Sequence, residues 1–139
     1  MLVKLLIAFS LMAACVVIHA SGITWALRQL DRTSTPGRSF WRATLLGIGV
    51  ATWMVACHLA EIALWGVLYL SIDAMKDLPS ALYFSAVTYT TTGYGDLVLP
   101  REWRLVGAVE ALTGILMCGW STAFFFAVVS KLHDHEPTV

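Results

Sequence analysis

The chain has 139 residues, of which 58% are hydrophobic and only 13% charged, with Lys and Arg balanced by Asp and Glu. A mean hydropathy of +0.74 is too high for a soluble domain of this size and points to a membrane protein, and zero net charge gives no footing for nucleic acid. Cys15, Cys57 and Cys118 lie inside apolar runs in no metal-ligand spacing, so packed thiols are expected rather than disulfides.

Three stretches are apolar enough to cross a bilayer, which takes about 20 residues of helix: residues 5–27, 43–70 and 105–129. The first follows Lys4 and ends near His19-Ala20-Ser21-Gly22, a pattern shared with secretory signals, but an uncleaved membrane helix is expected. Residues 28–42 then carry Arg28, Arg32, Arg38 and Arg42 against the single acid Asp31, with loop composition at 33–37. By the positive-inside rule this linker faces the cytoplasm. The second span is longer than a perpendicular crossing needs, so it is expected to tilt or protrude.

Residues 79–90 are too few to cross. Pro79 suits the first turn of a helix, and Asp77 just upstream favours the same end electrostatically. A re-entrant helix is expected, tolerated at membrane depth because protein surrounds it. The third span returns inward to a tail, residues 131–139, that begins with Lys131. The N-terminus is thereby outside, with Trp65, Tyr69 and Trp103 expected near the outer interface and Trp41 near the inner one.

Between the short helix and the third span, residues 88–96 read T-Y-T-T-T-G-Y-G-D. For successive carbonyls to point toward one axis, the backbone must alternate between conformations of opposite hand. Gly93 and Gly95 adopt positive φ without steric penalty, and the Thr91 hydroxyl offers one further oxygen. This stretch, with Ala81-Leu82-Tyr83-Phe84-Ser85 before it and a helix on either side, resembles the pore module of potassium channels. The likeness is to the small bacterial type with outer helix, pore helix, filter and inner helix, over roughly residues 43–130.

The resemblance implies a homotetramer in the lipid bilayer, in which backbone carbonyls replace the hydration shell of permeant potassium ions. It places Thr91, Thr92, Gly93, Tyr94 and Gly95 as ion-coordinating residues. Tyr83, Tyr89, Thr90 and Asp96 would support the filter, and Gly114 stands at the level of a bending hinge. Two departures matter. Thr92 stands where many members carry Val or Ile, so its hydroxyl needs a partner. Val87 replaces a Glu that pairs with the aspartate in some members, leaving Asp96 to find Tyr83 or Tyr89.

Ionisable groups inside spans are costly and mark function by default. His58, Glu61 and Glu110 stand out as one intramembrane polar network. Met54, His58, Glu61 and Trp65 share a helical face that should look toward protein. Glu110 is expected to find Glu61 or His58 as its partner, and His19 is assigned no role. The trio reads as a polar brace, a proton sensor coupled to the filter, or a His/Glu/Glu metal site. Gly114 and Gly119 serve either as hinges or as points of close helix packing. His133 and His135 are read as solvated tail residues.

The expected fold is all-α, with three transmembrane helices and the re-entrant pore helix and filter between the second and third. Residues 1–27 form an additional helix, 28–42 a basic linker, 43–130 the pore domain and 131–139 a short cytoplasmic tail. The expected function is passive potassium conduction across a plasma membrane, the bacterial inner membrane in type. A non-selective monovalent cation channel and a non-conducting membrane interaction subunit are the alternatives. No enzyme motif is visible, and no helix carries the regularly spaced arginines of a voltage sensor.

Overall fold

The computed structural model describes residues 1–33 and 40–133; residues 34–39 of the basic linker and 134–139 of the tail lie outside the described residues. The described chain is helical: α1 (Leu2–Thr33), α2 (Phe40–Ser71), α3 (Leu78–Tyr89), a single 3-10 turn (Arg101–Trp103) and α4 (Arg104–His133). Helices α1, α2 and α4 are each long and apolar enough to cross a membrane. All three run past the spans expected from hydropathy. Apolarity marks only the stretch that suits lipid, whereas Arg28, Gln29, Leu30 and Arg32 are good helix formers that let α1 continue.

Hydroxyls on the outer faces of these helices bond within their own helix, as a lipid-facing donor must. Ser21 Oγ donates to the Val17 carbonyl at 2.7 Å, Thr52 Oγ1 to Ile48 at 2.9 Å and Thr122 Oγ1 to Cys118 at 2.8 Å. The reversal after α2 is made at Asp73, whose φ is 53°, a left-handed conformation that Asp tolerates better than most residues. The N–H groups of Ala74 and Met75 both donate to the Tyr69 carbonyl, at 3.0 and 3.3 Å, and so cap α2.

Helix α3 starts as its sequence requires. The Asp77 carboxylate accepts from the Ser80 N–H at 2.8 Å, and Pro79 occupies the first turn. That bond, first among the causes, holds the Asp77 carboxyl below the ordinary carboxylate range. Gly66 lets α3 lie close on α2: a Cβ there would sit 3.0 Å from Leu82 Cδ2 and 3.5 Å from the Ala81 carbonyl oxygen.

Helix α1 runs antiparallel to α2 and parallel to α4. At one end, Lys4 Nζ donates to the Glu102 carbonyl at 3.2 Å and lies 4.2 Å over the Trp103 ring. Toward the other, Trp53 Nε1 donates to the Gly22 carbonyl at 2.9 Å, and Ile23 packs with Met54, Phe124 and Val128. A second core, with Trp65, Tyr69, Phe84 and Val106, gathers around α3. Trp65 and Tyr69 are fully buried there. Each ring is taken up by protein, Tyr69 edge-on against Phe84 with centroids 5.1 Å apart. Cys15 and Cys57 are buried and Cys118 exposed, all as free thiols.

Candidate functional site

The loop that follows α3 alternates in hand at every second residue. Thr91 has φ 59°, Gly93 φ 52° and Gly95 φ 80°. For the glycines this is free of penalty. For a β-branched threonine it is not, costing on the order of 1–3 kcal/mol, and such strain concentrates at functional positions. The loop is tied back onto α3 by its own backbone: Thr91 N–H donates to the Thr88 carbonyl and Gly93 N–H to Val87, both at 2.9 Å. The Thr92 hydroxyl finds its partner in the Thr90 hydroxyl at 3.0 Å, and Thr90 Oγ1 lies 2.7 Å from the Ala86 carbonyl.

Tyr83 OH donates to Asp96 Oδ2 at 2.8 Å, across the base of the loop. Accepting that hydrogen bond, the Asp96 carboxylate holds the Tyr83 hydroxyl above the ordinary tyrosine value. Of the two tyrosines expected to serve Asp96, only Tyr83 does so. Tyr89 is 1% exposed and turns its hydroxyl inward.

That inward turn brings together residues from four helices. Tyr89 OH is hydrogen-bonded to Glu61 Oε2 and lies 3.0 Å from His58 Nδ1. His58 Nε2 lies 3.0 Å from Ser121 Oγ, which is 2.9 Å from His19 Nε2. His19 Nδ1 is 2.9 Å from Glu61 Oε1. His19 and Glu61 are fully buried. His19, left without a role in the sequence, thus ties α1 to α2 and α4 through buried hydrogen bonds; its place as an ionisable residue mid-span was the signal available to find it. Ser121 carried no comparable signal, since a hydroxyl in a helix satisfies itself locally in most settings.

Glu110 corrects a second expectation. It meets neither Glu61 nor His58, and the anticipated single network divides in two. Tyr69 OH donates to Glu110 Oε2 at 2.6 Å, and Ser85 Oγ lies 2.5 Å from Glu110 Oε1. Ser85 Oγ is also 2.8 Å from the Ile62 carbonyl, which has no proton to give. Ser85 has one hydrogen for two contacts, so both are bridged only when Glu110 carries a hydrogen of its own. Glu110, near the start of α4, meets α3 at Ser85, about one turn before that helix ends, whereas Glu61 meets its last residue, Tyr89. The ligand atoms of His19, His58 and Glu61 all lie within 4.8 Å of one another, yet each is already engaged by a hydrogen bond within the protein.

At Gly114 two helices pack closely. A Cβ built there overlaps the backbone carbonyl of Tyr89, so α4 crosses α3 in direct backbone contact. Gly119 has nothing within 4 Å of a Cβ.

The sequence profile of the ion channel family matches residues 56–131, more than half of the chain. This chain belongs to the ion channel family. The match upholds the likeness to potassium-channel pore modules, and passive ion conduction through a multi-pass membrane protein is the activity that goes with it. It takes in the second half of α2, all of α3 with its loop, and nearly all of α4. Helix α1, and with it His19, lies outside the matched part of the channel. Comparison with curated proteins and with solved structures returns no match.

Proposed function

We propose that four copies of this chain surround one axis and form a potassium-selective channel of a plasma membrane, bacterial in type. The observation that carries the reading is the alternation of hand at Thr91, Gly93 and Gly95. A strand in which every second residue has positive φ turns its successive carbonyls to one side, the arrangement that replaces the water around a potassium ion. Residues 91–95 are all exposed in the single chain, Tyr94 at 72%. One strand covers only one side of an ion, and the uncovered face is where its three symmetry mates complete the ring.

In this reading α3 is the re-entrant pore helix and α4 lines the cavity below the filter. Residues 43–130 are the pore domain and α1 is an addition to it. The start of α1 and the start of α4 share the outer end, held by Lys4 and Trp103. The arginines of residues 28–42 then face the cytoplasm. Several ions occupy the file, and repulsion between neighbours helps each to leave.

Purified protein in liposomes, loaded with potassium or sodium, tests the reading. Potassium flux is expected to exceed sodium flux and to collapse in Gly93→Ala. With φ 52° and nothing within 4 Å of an added Cβ, that variant reads backbone conformation rather than crowding. Equal potassium and sodium flux would make the protein a non-selective cation channel. Unchanged, selective flux in Gly93→Ala would remove the loop from the permeation path.

A further inference from the structure

Glu61, His19, Ser121, His58 and Tyr89 form a closed cycle. Each touches the next, and the fifth touches the first, through five contacts of hydrogen-bond length. Each contact holds one hydrogen, so the complete cycle holds five. An ionised Glu61 brings none. A neutral imidazole brings one, the serine hydroxyl one and the tyrosine hydroxyl one, which makes four. With four, one contact sets two lone pairs against each other. With six, one contact sets two hydrogens against each other. Only five fill it, and the five-hydrogen state is also the one with no net charge.

This count does not depend on which tautomer each imidazole adopts. Either His58 or His19 takes the extra hydrogen beside a carboxylate, or Glu61 holds it and the bonds run head to tail around the cycle. Burial away from water favours the neutral, fully bonded state over one with an unpaired charge.

We propose that these five side chains are a binding site for a single proton, which latches the additional helix α1 to the filter end of α3 and so lets pH regulate conduction. The link to conduction rests on the channel reading above. The site spans α1 (His19), α2 (His58 and Glu61), α3 (Tyr89) and α4 (Ser121). Tyr89 is the last residue of α3, directly before the loop, and its carbonyl is pressed against Gly114. Loss of the proton opens one of the five contacts and loosens that junction. His58 is the exit, since its side chain is 17% exposed while those of His19 and Glu61 are at 0%.

Among the described residues, the thiols of Cys15 from α1, Cys57 from α2 and Cys118 from α4 lie in electrostatic range of Glu61. Glu110 of α4 acts on Cys15. Among the described residues the ion-pair partners of Glu61 are the two imidazoles alone, and no Lys or Arg neutralises it. None of these neighbours changes the count.

Glu61→Gln supplies the decisive test. The glutamine carbonyl accepts on one side and its amide donates on the other, so the cycle holds five hydrogens permanently and has no proton to release. The first measurement does not depend on conduction. With His133 and His135 replaced by Gln, the two remaining imidazoles are followed by nitrogen NMR in lipid between about pH 5 and 9, where perturbed imidazoles and carboxyls exchange protons. In the parent the His19 and His58 signals should shift together at one midpoint, as coupled groups do. In Glu61→Gln both should stay constant. Independent midpoints, or a titration that survives in Glu61→Gln, would overturn the proton site.

The second measurement is potassium flux over the same range. The parent should change by roughly tenfold between its two ends, the effect of one buried hydrogen bond on an equilibrium. Glu61→Gln should hold the acid-end value throughout. A coupled titration with flux that ignores pH would overturn the regulatory role. Absence of flux at every pH would overturn the channel reading and leave the NMR result to decide the site.

Discussion

The α carbon of Gly114 lies against the backbone carbonyl of Tyr89, close enough that no side chain fits between them. One glycine in α4 thus determines how near that helix comes to the end of α3, and the end of α3 is where the loop begins. The obstructing atoms are backbone and do not swing aside. Gly114→Ala is therefore expected to destabilise the protein by about 1–3 kcal/mol, the usual penalty for overpacking a core. Gly119→Ala, with open space around the new methyl, should stay within about 0.5 kcal/mol of the parent. Thermal midpoints in detergent compare the two, and equal effects would show that the close crossing does not constrain the fold.

Glu110 is expected to tolerate its isostere. In Glu110→Gln the amide donates to Ser85 Oγ and the carbonyl accepts from Tyr69, so every contact of the native cluster keeps its hydrogen. Glu110→Ala strands the buried Tyr69 hydroxyl, at a cost of about 1–3 kcal/mol. Thermal stability and potassium flux of parent, Gln and Ala decide it. Like behaviour of all three would mean that Glu110 braces nothing.

Tyr83 and Asp96 join α3 to the outer end of the loop. Tyr83→Phe removes the donor while keeping the ring, so helix content should be unchanged and sustained potassium flux should fall. Tyr83→Trp restores an N–H donor of similar reach and should recover part of the flux. Helical circular dichroism and flux decay over time are the measurements. A phenylalanine variant that conducts as steadily as the parent would separate this bond from filter support.

The Asp77 cap carries a pH dependence of known sign. Its carboxyl is held below the ordinary value by the Ser80 N–H, so it contributes stability above its unfolded value of about 3.9 and loses it as pH falls through the lower folded value. Parent protein should melt higher than Asp77→Ala at neutral pH, and the gap should narrow well below about pH 4. A gap that does not change with pH would assign the difference to something other than the charged cap.

The properties readable along the chain were those that neighbouring residues decide among themselves. Three spans follow from hydropathy over a window, the start of α3 from Asp77 and Pro79, and the alternating loop from glycines at positions 93 and 95. Each depends on interactions a few residues long, so the sequence alone settles it. Even here the positive φ of Thr91 was not visible, because nothing in a threonine announces that its surroundings will hold it in a strained conformation.

The partners of buried polar groups were decided only by tertiary packing. His58, Glu61 and Glu110 look alike in sequence, as costly groups in apolar runs, yet one pair joins His19 and Ser121 while the third joins Tyr69 and Ser85. His19 and Ser121 are 102 residues apart, and they meet because α1 runs parallel to α4, with Lys4 beside Trp103 at one end of the pair. The sequence by itself determined that polar groups inside a membrane must be satisfied. Which groups satisfy them is a matter of helix direction and depth, and those exist only once the helices have packed.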